Sequence, residues 1–349
     1  MDSKNKMHMI SWDKICRPKL YGGLGIPSLA ALQYAFNCSV ISRMYNCESP
    51  LSAWLLQRYI SPWRPPPVYS SKFWKLICCT ASEAKHFFSF NISAIAPVSL
   101  YWDHWCINDA FAGNGYGYQF FTGTSANTRL MDFIIDNTWN LPHSLPDSVK
   151  QQISDLHIHE SATCLVWKNS GAGIFRDYVN GFYSNMDICP WANLIWHKGA
   201  ALRFSVYVWM SIMGALKTAD ALSKRNILVH PVCSLCNLQL ESSMHLFFEC
   251  PFSHSTLIHN IPVAKNLLIR PTVLHLFEWI DSCYASRLSE KNFFLLMASC
   301  TIYFVWKERN DRRFGSSFKC SKTVALNVRS SVYEKITNWK DAGKLKELL

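Results

Sequence analysis

Residues 233–250 read CSLCNLQLESSMHLFFEC, in which a pair of cysteines spaced as CxxC is followed by a histidine after eight residues and a third cysteine after four more. A CxxC turn lets two thiolates reach the same tetrahedral ion. With His245 and Cys250, Cys233 and Cys236 make a set of three sulfurs and one imidazole that leaves no position for a catalytic water, so the spacing predicts one structural zinc ion per chain. Asn237 suits the turn of such a knuckle. Leu246, Phe247 and Phe248 supply an apolar wall that keeps water off the thiolates. The HLFFEC stretch reads as one helical turn presenting His245 and Cys250. A five-residue spacing is imperfect for an α-helix, and the turn is expected to break at Cys250, before Pro251. His230, His254 and His259 lie close enough to take the place of His245. A redox CxxC is the competing reading, but that motif opens a helix after a strand, and no βαβ pattern surrounds this one.

Upstream of the cysteines, GIFRDYVNGFYSN (173–185) reads as a short strand turning into a helix. ANLIWHKGAALRFSVYVWMSIMGAL (192–216) carries apolar residues at helical spacing. Trp191, Trp196 and Trp209 fall on its apolar faces and are expected in the core. TADALSKRNI (218–227) reads as a short helix with Thr218 as its N-cap. Beyond the cysteines, ASRLSEKNFFLLMASCTIYFVWKERNDRRF (285–314) predicts a long helix whose apolar half ends in a basic one, and residues 321–349 are again amphipathic and helical.

Towards the N-terminus, Pro27 and Ser28 open a predicted helix to about Asn46, with Leu29, Leu32, Ala35, Phe36 and Val40 as its buried stripe. SPWRPPPVY (61–69) is a proline-rich break and a candidate linker. Residues 70–165 alternate short aromatic runs with turns. The glycines of FAGNGYGYQFFTGT (111–124) match no phosphate-loop pattern and read as a surface loop. The fold class expected is mainly α, a helical zinc-binding module with a Cys3His knuckle and few short strands.

A length of 349 residues suits roughly two domains, and 49% hydrophobic content with 14 Trp, 14 Tyr and 21 Phe places the chain among globular proteins. The N-terminal residues show no apolar segment of a signal peptide, so the chain is expected to be intracellular, in nucleus or cytoplasm. Its 14 cysteines are then expected to be reduced. The apolar run FFLLMASCTIYFVW (293–306) is too short to span a bilayer of about 20 residues, so no membrane contact is expected. The net charge is +11, and residues 301–349 hold eleven Lys and Arg against five acids, more than half of that excess. Such a distribution suits either a solvated helical face or a polyanionic partner.

The run from GIFRDYVNGFYSN through LKTADALSKRNI to CSLCNLQLESSMHLFFEC resembles the zinc-binding domain that follows the polymerase in plant LINE-type, non-LTR retrotransposon reverse transcriptases. WDKICRPKLYGGLGIPSL (12–29) resembles the segment just past the polymerase palm of those proteins, and WKERNDRRF the helix after their zinc domain. The resemblance implies Cys233, Cys236, His245 and Cys250 as the zinc ligands. It also implies an organisation of 1–60 as the post-palm segment, 61–172 as an aromatic-rich connection, 173–262 as the zinc-binding domain and 263–349 as basic C-terminal helices.

Polymerase chemistry needs carboxylates that bind two metal ions, typically with an Asp-Asp pair, and no two acidic residues are adjacent anywhere in the chain. No spaced carboxylate set of a ribonuclease H is evident, and the resemblance of the opening segment to the post-palm region implies that the endonuclease of such elements is not expected here. The expectation is therefore a non-catalytic zinc module without a small-molecule substrate. It is expected to contact RNA or single-stranded DNA through Lys217, Lys224, Arg225, Lys307, Arg309, Arg312 and Arg313. A protein-interaction module and a retroelement relic without function are the alternatives.

Overall fold

In a computed structural model, residues 9–105, 125–160, 163–169, 171–266, 272–315 and 318–349 are described. The glycine-rich stretch 111–124 and the first eight residues lie outside them. The chain divides into two compact units, Pro27–Met186 and a second made of Met1–Ile26 with Asp187–Leu349. About 55% of the described residues are helical, and the strands among them are few and short.

In chain order the helices are α1 (Trp12–Cys16), α2 (Leu29–Asn46), α3 (Pro50–Tyr59), α4 (Lys72–Ala84), α5 (Asp147–Ser154), α6 (Phe175–Phe182) and α7 (Ala192–Ile195). There follow α8 (Leu202–Ile212), α9 (Ala219–Ser223), α10 (Pro251–Asn260), α11 (Val273–Cys283), α12 (Leu288–Arg313), α13 (Ser321–Ile336) and α14 (Ala342–Lys346). The strands are β1 (Phe88–Phe90), β2 (Ile134–Ile135), β3 (Thr138–Trp139) and β4 (Leu165–Trp167), paired antiparallel as β1 with β4 and β2 with β3.

The unit Pro27–Met186 is organised on α2, whose N-cap Ser28 accepts a hydrogen bond from the Ala31 amide at 3.0 Å. Its buried stripe is Ala31, Tyr34, Ala35, Cys38, Ile41 and Tyr45. Of the expected stripe only Ala35 is fully buried, while Leu29 and Phe36 are exposed. The cause is geometric: Leu29 occupies the first helical position, and the face that meets α4 and α6 lies two residues further round. Asn46, at the other end of α2, ties the helix to β4 by donating to the Leu165 carbonyl at 2.7 Å and accepting from the Cys164 and Leu165 amides at 2.8 Å each. Trp63 of the proline-rich stretch donates to the Ala81 carbonyl at 2.9 Å and sits edge-on to Phe88 and Phe90. Buried Asp103 accepts from the Tyr45 hydroxyl, the Ser61 hydroxyl and the Ser99 amide.

The other unit is built round α12. All residues from Phe293 to Tyr303 are buried, because α8, α10, α11 and α13 pack round it. The expectation of a buried rather than membrane helix holds to this extent: among the described residues no helix is long and apolar enough to cross a membrane. Trp209 is buried in α8, and Trp191 and Trp196 pack against the same core. The N-terminal segment joins this unit through the Trp209 indole, which donates to the Gly22 carbonyl at 2.8 Å. Gly22 has φ +82, and a Cβ there would lie 2.7 Å from the Cys189 sulfur, so the Gly-Gly turn needs glycine on both counts.

Candidate metal centre

The knuckle is assembled from two local structures. In the first, the Cys233 amide donates to the Gln239 carbonyl and the Asn237 amide to the Cys233 carbonyl, both at 2.8 Å. Asn237 takes a left-handed φ of +57, which asparagine tolerates better than most residues. An antiparallel bridge from Val232 to Leu240 closes this hairpin below the turn.

The second is a π-helical turn, His245–Glu249. The Cys250 amide donates to the carbonyl of His245, five residues back, at 2.8 Å. A π turn repeats at the i to i+5 interval, so the spacing that misfits an α-helix is matched by the wider turn. Ser242 accepts from the His245 amide at 3.0 Å and starts the turn. Cys250 has left the helical region at φ −69 and ψ 122, and Pro251 opens α10 directly after it.

One ligand atom from each of Cys233, Cys236, His245 and Cys250 lies within 4.8 Å of all the others. Cys233, His245 and Cys250 are buried and Cys236 is half-buried. The Cys236 sulfur is 3.3 Å from Nε2 of His245, so that nitrogen faces the sulfurs. Nδ1 is turned the other way, 3.9 Å from a Glu249 carboxylate oxygen. That separation is beyond a hydrogen bond and Nδ1 has no hydrogen-bond partner among the described residues, so it is the π turn that aims Nε2 at the sulfurs. The Cys233 thiol is hydrogen-bonded to the sulfur of Cys250, which pulls Cys250 down to about 7 and, with burial, pushes Cys233 up. Buried Leu235, Leu246 and Phe247 surround the group. Soft sulfurs, one imidazole and an apolar wall fit a zinc ion. His230, His254 and His259 are exposed and stand outside the group, and Nδ1 of His259 is engaged with the Ser255 carbonyl at 2.6 Å.

What holds the knuckle in place is the basic end of α12. Glu241, 1% exposed, lies in the stretch joining the hairpin to the π turn. Its carboxylate accepts from Arg309 Nε at 2.9 Å, from Arg309 Nη2, from Arg313 Nη1 at 3.3 Å and from the Ala219 amide at 2.8 Å. That last bond caps α9 with the carboxylate of Glu241 rather than with Thr218, whose hydroxyl instead reaches Asp220 at 2.5 Å. Arg309 also donates to the Lys217 carbonyl at 3.1 Å, and Arg313 to the His230 carbonyl at 2.7 Å. Arg312 reaches the Leu235 carbonyl inside the CxxC turn at 2.9 Å while pairing with Glu308, also at 2.9 Å.

These placements separate the seven cations expected to contact nucleic acid. Arg309 is buried, and Arg312 and Arg313 are mostly so. Their donors serve the knuckle, and buried guanidiniums are held by partners of this kind because an unpaired one is costly. Lys307 pairs with Asp311 at 2.7 Å. Lys217, Lys224 and Arg225 are exposed beside the knuckle. The sequence assigns no role to Glu241 or Glu249. The one signal for Glu241 was the arginine spacing at 309, 312 and 313, which puts three cations on one helix face and so calls for a buried acid opposite.

A helical unit bearing a closed Cys3His cluster has the donor set of a zinc knuckle. Residues 178–256, which include all four cluster residues, match the family described as zinc-binding in reverse transcriptase. A protein of Arabidopsis thaliana named for ribonuclease H is 21% identical over 346 residues, covering 92% of this chain and 55% of its own length. The chain thus spans about half of that relative. No solved structure matches the chain. Together these matches support a retroelement-derived zinc-binding domain of the reverse-transcriptase type within this chain.

Proposed function

We propose that the protein is a non-catalytic module in which Cys233, Cys236, His245 and Cys250 hold one structural zinc ion, and that the module contacts RNA or single-stranded DNA. The observation that carries this reading is the closed donor set, four ligand atoms within 4.8 Å and three of the four residues buried. Zinc in such a set is fully ligated by protein and supplies folding free energy rather than a reactive water. The missing acidic pairs support the non-catalytic part, since two-metal chemistry depends on clustered carboxylates. The net charge of +11 supports a phosphate partner.

The same reading places the protein with its nucleic-acid partner in nucleus or cytoplasm, and its zinc-binding domain over residues 173–262, between an aromatic-rich connection and the basic C-terminal helices. A protein-interaction role is the second reading, favoured by exposed Leu228, Leu238, Leu240 and Met244 on and beside the knuckle hairpin. Retention of labelled single-stranded RNA by the zinc-loaded chain at two salt concentrations separates them. Phosphate contact weakens steeply with salt, and an apolar interface barely responds. Incubation with an RNA–DNA hybrid and Mg2+ tests the non-catalytic part, and strand cleavage would contradict it.

A further inference from the structure

We propose that the paired helices α10 and α13 form the face on which this chain binds the phosphates of single-stranded nucleic acid. The proposal rests on the nucleic-acid reading above and gives it a location, away from the arginines that the knuckle consumes.

The two helices lie side by side, joined by the Ser255 and Ser321 hydroxyls at 3.1 Å and by Arg329, which donates to the His259 carbonyl. Residues 251–266 contain Lys265 and no Asp or Glu, and residues 318–336 contain Lys319, Lys322, Arg329 and Lys335 against Glu334 as their one acid. They also contain His254 and His259, both exposed. Elsewhere in this unit the contrast is plain: Lys291 is paired with Asp281, Lys307 with Asp311 and Arg312 with Glu308. An excess of cations over acids is what gains by releasing counterions from a phosphate chain.

The face also has relief. A shallow cavity of about 410 Å³ is lined by His254, Ser255, Ile258, His259 and Lys265. Nδ1 of His259 is already committed to the Ser255 carbonyl, so Nε2 is the nitrogen a ligand can meet. Beside it, Lys322, Leu326, Arg329 and Tyr333 follow one another at helical intervals of three and four along α13. Leu326 and Tyr333 are exposed, and Lys346 of α14 lies 4.5 Å from the Tyr333 ring centre, extending the cationic line. Cations that track a backbone, with an aromatic ring set among them, are the elements of single-strand binding. Arg329, held from one side by a carbonyl, keeps its guanidinium oriented for phosphate on the other.

The test measures binding of a fluorescent oligouridylate of about 20 nucleotides, long enough to span a whole single-strand site, to the full zinc-loaded chain over a salt series. The wild type is compared with Lys265→Glu/Lys322→Glu, which alters only exposed side chains, with Arg329→Gln, and with Lys224→Glu/Arg225→Glu at the knuckle. Zinc content and thermal unfolding confirm that each variant is folded. The proposal predicts at least tenfold weaker binding for Lys265→Glu/Lys322→Glu. The slope of log affinity against log salt should fall by about 1.4, the value for two fewer phosphates neutralised on a single strand. Arg329→Gln should weaken binding in the same direction, and the knuckle variant should change it less than threefold. If the wild type binds but all the α10 and α13 variants bind equally well, the face is wrong and the nucleic-acid reading survives. If the wild type binds no RNA or single-stranded DNA, that reading falls and this face with it. Retention on anionic lipid vesicles alone would likewise overturn the proposal.

Discussion

Arg309 reaches Glu241 through two of its nitrogens, Nε at 2.9 Å from one carboxylate oxygen and Nη2 on the other, and both side chains are buried. This pair joins the end of α12 to the knuckle, while Glu241 also caps α9. Removing one partner strands the other charge in the interior, a loss of about 3 to 5 kcal/mol. Arg309→Met and Glu241→Gln are therefore expected to destabilise the unit by that order in urea unfolding. Arg312→Gln, with a partly accessible guanidinium, should cost less. Equal, small losses for all three would show that the clamp is not structural.

Cys233→Ser and Cys250→Ser should abolish zinc binding. Apparent zinc affinities of small structural sites, on the order of 10 to 16 kcal/mol, match or exceed the whole stability of an ordinary domain, about 5 to 15 kcal/mol. The helical core from Phe293 to Val305 has packing of its own from α8, α11 and α13. The loss should therefore centre on the knuckle and α9. Hydrogen exchange of the variants should show residues 218–250 unprotected and the middle of α12 still protected. Full protection of 218–250 in Cys250→Ser would contradict the account.

Glu249 has a subtler part. Its carboxylate lies 3.9 Å from Nδ1 of His245 and is partly solvated. Glu249→Gln is expected to leave the fold intact and to weaken zinc affinity by less than the roughly 10- to 100-fold seen for outer carboxylates hydrogen-bonded to the ligand, since 3.9 Å leaves only electrostatic contact. Competition with a chromophoric chelator reads this directly. An unchanged affinity would mean that the π turn alone orients the imidazole.

The clustering of Cys233, Cys236, His245 and Cys250 was legible because their spacing in sequence is short and their chemistry narrow. The long buried helix was legible too, since FFLLMASCTIYFVW admits little else. Two things were hidden. The π turn was invisible because HLFFEC carries only a misfit to the α-helix, and the misfit alone does not say which way the backbone relaxes. The role of Arg309, Arg312 and Arg313 was hidden because a run such as KERNDRR reads the same whether it faces solvent or a partner about 70 residues away in the chain. The same limit explains α2, where a plausible stripe through Leu29 and Phe36 lost to one through Ala31, Tyr34 and Cys38 that only tertiary neighbours could select.

His197 sets a pH dependence. Burial, and then Lys291 and Lys335, lower its pKa from 6.5 to about 4, and neither ring nitrogen has a partner among the described residues. With the folded value depressed, the unfolded chain takes up the proton first. The stability present above pH 6.5 is lost as pH falls towards 4, by up to about 3 kcal/mol. His197→Leu should be close to neutral at pH 7 and flatten that decline. Parallel loss in wild type and variant between pH 6.5 and 4 would remove His197 from the explanation.

Native mass spectrometry of the purified full chain counts its metal. One zinc ion per folded chain is expected, absent from Cys250→Ser and removed by chelation together with the protection of residues 218–250. A folded, protected chain at its metal-free mass would contradict the structural zinc site.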